Sequence, residues 1–193
     1  MSAIKVTEVA HRLVSSRLQA GDIAVDATAG NGHDTLLLAR IVGKTGEVFA
    51  LDVQACALAT TGSRLKEHGL DQVGKLYQRG HEDLAEVVPG CYHGRVSAVM
   101  FNLGYLPGGD KFLITCEQTT IVALQQALEI LSKGGLCTVV CYPGHEGGAR
   151  EAAAVARFVK ELDPGSYRCQ RHDSEHCLNH SPFLLAIEKV CPG

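Results

Sequence analysis

Apolar positions along the chain switch repeatedly between a helical and a strand-like period, and that switching sets the expected fold. Ile4, Val6, Val9, Ala10, Leu13 and Val14 share one face of a helix expected over about 4–19, which Gly21-Asp22 breaks. A short apolar run over about 22–26 reads as a strand and about 34–42 as the next helix. A strand at 48–52, a helix over about 54–68 closed by Gly69, a strand over about 75–79 and a short helical turn near 82–87 follow. Residues 96–102 form a fourth strand, trailed by a loop rich in Gly and Pro to about 110. A helix over about 115–131, a strand over 136–142, a helix over about 146–162 that stops before Pro164, and strands near 166–172 and 183–189 complete the chain.

Strands that alternate with helices of this length imply a parallel sheet covered on both faces. No helix separates the last two strands, so they should form an antiparallel hairpin at the sheet edge. The expected fold class is therefore α/β: a Rossmann-like, mostly parallel seven-stranded sheet with helices on both faces and a C-terminal antiparallel hairpin. With no repeat or linker in view, residues 1–193 read as a single domain.

Composition narrows the function classes. No run of about 18 apolar residues occurs, so no membrane span is expected. Met1-Ser-Ala-Ile-Lys-Val-Thr-Glu8 lacks the basic-then-apolar pattern of a signal peptide, so a cytoplasmic location is expected. A net charge of −3 argues against binding nucleic acid through bulk charge but leaves room for a local patch, for which Lys111, Arg150, Arg168 and Arg171 are candidates. Eight cysteines occur without a CxxC pair, which suggests free, mostly buried thiols. His172, His176, Cys177 and His180 could ligate zinc, but an exposed hairpin loop is the plainer reading, and no metal is expected.

The chemistry concentrates where strands end. Asp26-Ala-Thr-Ala-Gly30-Asn31-Gly32-His-Asp34-Thr35 reads as strand, Gly-rich turn, helix start, the place where α/β proteins hold nucleotide-like ligands. Thr35 stands where a dinucleotide GxGxxG would need its third Gly. A carboxylate at Asp26 would repel a pyrophosphate and attract an amine or sulfonium, which points to S-adenosylmethionine rather than NAD. Asp52, ending the second strand, can accept both hydroxyls of a ribose or simply cap a helix. Gln54 could reach the same nucleoside. His81-Glu82 lies where an adenine edge would sit, or starts a helix.

Asn102-Leu-Gly-Tyr105 ends the fourth strand. Its Asn-x-x-Tyr spacing resembles the (Asp/Asn)-Pro-Pro-(Tyr/Phe) motif of amino-group methyltransferases, with Leu103 and Gly104 in place of both prolines. In that motif the Asn aligns the amine lone pair and the aromatic ring packs on the acceptor. His145, in Tyr142-Pro-Gly-His-Glu-Gly-Gly148 after the fifth strand, could orient the acceptor, take a proton, or start a helix.

The segments DATAGNGHDT, FNLGYLPGGDK and CYPGHEGGAREA, together with the Thr119-Thr120 step, resemble the YtqB/MnmM family, often labelled rRNA methylases. The similarity runs from the first helix to Pro182–Lys189. It implies a class I methyltransferase fold and dependence on S-adenosylmethionine. It also implies methylation of the aminomethyl group of 5-aminomethyl-(2-thio)uridine at the tRNA wobble position, with the anticodon region as partner. By the same resemblance, Asp26, Gly30, Asn31, Gly32, Asp34, Thr35, Asp52 and Gln54 belong to the cofactor pocket, and Asn102, Tyr105 and His145 to the acceptor side. Methylation of rRNA or of a small-molecule amine, or cofactor binding without chemistry, are the alternatives. The sequence leaves the oligomeric state open, a homodimer included.

Overall fold

Val6, Ala10 and Val14 recur every four residues along the first helix, α1 (Val6–Ser15), and all three are buried. That spacing puts them on one stripe of the helix, and the stripe packs on the sheet. The structure is a computed structural model and describes residues 5–106, 108, 113–174 and 180–190.

The sheet has seven strands in the order β3-β2-β1-β4-β5-β7-β6. Strands β1 (Ile23–Asp26), β2 (Glu47–Asp52), β3 (Gly74–Gln78), β4 (Val96–Asn102) and β5 (Leu131–Cys141) run parallel. Strands β6 (Tyr167–Asp173) and β7 (Phe183–Lys189) pair with each other antiparallel, and β7 also pairs antiparallel with β5. The expected hairpin is thus present, with β7 inserted beside β5 and β6 alone at the edge.

Alternation along the strands splits the core in two. Ala24, Val48, Ala98 and Met100 face one side, against α1 and α2 (His33–Val42) and Leu65 of α3 (Ala55–Glu67). Val25, Phe49, Val99 and Phe101 face the other, against Leu84 of the short α4 (Leu84–Val87), Leu124 of α5 (Glu117–Ile130) and Val155 of α6 (Gly148–Glu161). Burial on both faces explains why the central strands read as continuous apolar runs.

Three sequence expectations are corrected. Strand β5 starts at Leu131, not at 136. Val96 pairs with Leu131 but Ala98 with Leu136, so residues 132–135 are accommodated as an irregularity, with Gly134 at φ +76°. The first helix ends at Ser15, and the chain beyond it still buries Leu18. Of the six cysteines described, only Cys137 and Cys141 are buried; Cys56, Cys91, Cys116 and Cys169 are exposed. Burial raises both buried thiols, Cys141 to about 12, so neither offers a thiolate at neutral pH.

Among the described residues no helix is long and apolar enough to cross a membrane. Lys111, Cys177 and His176 lie outside the described residues.

Candidate active site

The parallel strands all end on one edge, and a cavity of about 750 Å³ runs along it. Its wall is drawn from the loops after β1, β2, β3, β4 and β5, including Gly30, Asp52, His81, Asn102 and His145. Ligands of open α/β sheets bind in such a crevice, outside the carboxyl ends of the strands.

The turn after β1 builds one end. Gly30 takes φ +52°, and its N–H donates to Asp52 Oδ2 at 2.8 Å. Asp52 Oδ1 accepts the Gln54 N–H at 2.8 Å. The Asp52 carboxylate therefore ties the first two strand ends together, while each oxygen keeps a second lone pair for a ligand hydroxyl. Asn31, His33 and Asp34 also line the cavity, as do Gln54 and Glu82. His33 was missed in the sequence because nothing distinguishes it there from a helix-start residue.

Asp26, Gly32 and Thr35 lie behind this wall rather than in it. The Asp26 side chain is fully buried; Thr35 Oγ1 donates to its Oδ2 at 2.5 Å and the Thr28 N–H to its Oδ1 at 3.2 Å. The expectation that Asp26 meets a ligand cation is corrected accordingly: its carboxylate is committed to the turn. Burial, and next the nearby Asp34 charge, push its pKa up to about 7. Asp34 in turn pairs with His11 of α1 at 2.5 Å, and that hydrogen bond raises the His11 pKa. Gly32, at φ +76°, is required by packing: a Cβ there would lie 2.7 Å from Thr61 Oγ1 and 2.9 Å from Thr61 Cα on α3.

His81 opens a single 3-10 turn after β3 and is buried, its ring edge-on to Phe101 at 6.0 Å. It starts a helical turn and also lines the cavity. Burial lowers its pKa, so the ring is neutral at pH 7. Its Nε2 lies 3.2 Å from Thr119 Oγ1 and 3.4 Å from Thr120 Oγ1.

The loop after β4 builds the other end. The Asn102 N–H donates to Thr28 Oγ1 at 2.8 Å, which pins the strand end to the glycine turn. Tyr105 forms an antiparallel bridge with Ile114 and is 45% exposed, so its ring is available at the cavity wall. His145 stands edge-on to it, centroids 5.9 Å apart and planes at 87°. His145 Nδ1 contacts the Glu146 carbonyl oxygen at 2.9 Å. A carbonyl only accepts, so Nδ1 carries the proton and Nε2 the lone pair in the neutral ring. That Nε2 is buried and has no hydrogen-bond partner among the described residues, close to Gly104 and Gly148. The geometry favours His145 as a buttress for Tyr105 over a proton acceptor facing the cavity.

The residues present fit an adenosyl sulfonium. The αL turn at Gly30 leaves its cavity side open, where a Cβ would stand 3.4 Å from Leu106. Among the described residues, Asp34, Asp52 and Glu82 line the cavity against one cationic side chain of the Arg or Lys type, Arg79, which is already paired with Asp83 at 2.9 Å. A lining of that sign favours a cation over a pyrophosphate.

Comparison with known proteins agrees. Residues 48–188 match the model of a family described as "Putative rRNA methylase". The chain is 41% identical over 173 residues to the chloroplastic tRNA (mnm(5)s(2)U34)-methyltransferase of Arabidopsis thaliana, covering 86% of this chain. It spans 62% of the length of that relative. Among solved structures, a "putative rRNA-methylase" from Clostridium thermocellum superposes with a TM-score of 0.92 at 38% identity, covering 98% of this chain and 100% of that one. A "putative methyltransferase" from Streptococcus mutans, solved in complex with SAH, superposes at 0.85 with 34% identity, covering 97% and 99%. The doubly wound sheet is thus a Rossmann-like methyltransferase fold.

Proposed function

The chain belongs to the rRNA methylase family, and from that membership we propose that it is an S-adenosylmethionine-dependent N-methyltransferase acting on the aminomethyl group of 5-aminomethyl-(2-thio)uridine at the wobble position of tRNA. The observation that carries the reading is one cavity with a nucleoside-type end at Asp52 and an Asn-x-x-Tyr end at Asn102 and Tyr105. The SAH bound by the S. mutans relative supports the cofactor, and the tRNA named for the Arabidopsis relative supports the acceptor.

Bound S-adenosylmethionine supplies a methyl group on a sulfonium: the amine lone pair forms the N–C bond as the C–S bond breaks, the bonding pair stays on sulfur, and the amine afterwards gives up a proton. The protein's task is alignment. Asp52 would hold the ribose hydroxyls, and Gly30 and Asn31 would let the backbone approach the ligand. His81, Glu82 and Gln54 would border the nucleoside. Asn102 would accept hydrogen bonds from the amine and so direct its lone pair, with Tyr105 against the acceptor base and His145 behind it. Asp26, Asp34, Gly32 and Thr35 shape the turn that carries Gly30 and Asn31. The anticodon region is the part of tRNA that would enter the cavity, and the whole chain 1–193 would act as one domain, in the cytoplasm.

Nucleoside mass spectrometry of tRNA from a strain lacking the gene tests the proposal. Loss of 5-methylaminomethyl-uridine with accumulation of the 5-aminomethyl form is expected. An unchanged methylaminomethyl pool would refute the tRNA acceptor.

A further inference from the structure

Glu151, on α6, is a buried carboxylate outside the set of residues so far given a role; it is 3% exposed. Two hydroxyls donate to it: Thr120 Oγ1 to Oε1 at 2.6 Å and Thr115 Oγ1 to Oε2 at 2.8 Å. Each of these threonines leads to a different end of the cavity. Because Thr115 gives its proton to Glu151, its oxygen is left to accept, and it accepts the Gly104 N–H at 2.8 Å. The Gly104 carbonyl accepts the Thr115 N–H at 2.9 Å, so the backbone midway between Asn102 and Tyr105 is held from both sides.

Thr120 works on the other end. Its proton is also committed to Glu151, and the Thr119 hydroxyl donates to the Cys116 carbonyl at 3.2 Å, with Cys116 Sγ also 3.3 Å from its oxygen. Both oxygens therefore face His81 Nε2 as acceptors, at 3.4 and 3.2 Å. A neutral imidazole has one N–H, and this surrounding places it on Nε2, which leaves Nδ1 as the accepting nitrogen. An acceptor on a cavity-lining ring suits an exocyclic amine such as that of adenine.

We propose that Glu151 is a positioning residue that couples the two ends of the site: through Thr115 it fixes the Asn102–Tyr105 backbone, and through Thr120 it fixes the tautomer of His81. The inference rests on the methyltransferase reading for its catalytic consequence but not for the tautomer. A carboxylate is suited to this place because it accepts from both threonines at once. A glutamine in the same shape would offer one acceptor and one donor, and one of the two hydroxyls would have to turn round.

The test compares Glu151→Gln, Thr115→Val, Thr115→Ser and Thr120→Val with the parent chain. Imidazole nitrogen shifts of the ligand-free protein, with His81 identified by its loss in His81→Gln, should show the Nε2–H tautomer in the parent. In Glu151→Gln, where the Thr120 hydroxyl can turn its proton toward Nε2, Nδ1–H should be populated, and in Thr120→Val, which keeps Thr119 Oγ1 as an acceptor, less so. In cofactor titrations Thr120→Val should weaken S-adenosylmethionine binding about tenfold while Thr115→Val leaves it within about threefold. Turnover on tRNA should fall on the order of 10- to 100-fold in Thr115→Val, the scale of a misplaced reacting group, with Thr115→Ser close to the parent. Glu151→Gln should show both losses. A stability tether alone would lower the melting temperature of the variants without this split, and that result would overturn the proposal. An Nδ1–H tautomer in the parent, or turnover and affinity within about twofold in Glu151→Gln, would also overturn it. Were the parent to bind S-adenosylmethionine yet methylate no tRNA, the acceptor assignment would fail, while the tautomer and binding measurements would still decide the role of Glu151.

Discussion

Asp26 ends β1 with both carboxylate oxygens turned into the protein, under the loop that carries Gly30 and Asn31. Its pKa of about 7 lies above the unfolded value near 3.9, so between those values the folded state holds the extra proton. Asp26 therefore favours folding most at low pH, and this contribution is lost as pH rises from about 4 through about 7. His11 acts in the same direction, because its raised pKa gives stability that is present at low pH and lost as pH rises through the folded value. Asp26→Asn should flatten this dependence: the stability of the variant relative to the parent should be greater at pH 8 than at pH 5. A relative stability that is constant, or that shifts the other way, would contradict the assignment. Asp52 and Asn102 make the second residue-scale prediction. Asp52→Ala should raise the dissociation constant of S-adenosylmethionine roughly 10- to 100-fold, the scale of hydrogen bonds to a charged group. Asn102→Ala should leave that constant within about threefold and lower turnover on the order of 100-fold. Equal losses of affinity and turnover in Asn102→Ala would move the residue into the cofactor end of the cavity.

At the scale of elements, the glycine turn and the helices around it show what sequence can and cannot display. The strand–turn–helix at 22–42 was legible because a buried strand, a Gly-x-Gly step and a helical period follow one another directly. Which glycine faces the ligand was not legible, because that depends on α3. Gly30 lines the cavity, whereas Gly32 lies against Thr61. Gly32→Ala meets both a positive φ and a Cβ 2.7 Å from Thr61 Oγ1; Gly69→Ala meets a positive φ of +66° in open space. Chemical denaturation should show a cost of about 1 kcal/mol for Gly69→Ala and about 2 kcal/mol or more for Gly32→Ala. Equal costs would remove the packing argument. The start of β5 was hidden for a related reason: Lys133-Gly134-Gly135 reads as a turn, and only pairing with β4 shows that the strand begins before it. Glu151 was hidden because Arg150-Glu151 looks like a charged exposed step, and its burial arises only where α6 packs on α5.

Across the whole molecule, the alternation of strands and helices was enough to give the sheet, since each buried strand and amphipathic helix declares itself locally. The acidic and amide residues at successive strand ends gather along one cavity, because parallel strands deliver their carboxyl ends to one edge. Contacts between loops distant in sequence were not legible: the Asp26 carboxylate turned inward, His145 set edge-on to Tyr105, and the path from Glu151 to Gly104 and His81. In the proposed function, these contacts would let the cavity hold an amine in line with a sulfonium. The most direct test is transfer of labelled methyl from S-adenosylmethionine by the purified protein to tRNA carrying 5-aminomethyl-(2-thio)uridine, read by nucleoside mass spectrometry. The label should appear in 5-methylaminomethyl-(2-thio)uridine and be absent with Asn102→Ala at matched cofactor saturation. Label in rRNA or in no nucleoside, with the protein saturated by S-adenosylmethionine, would contradict the account.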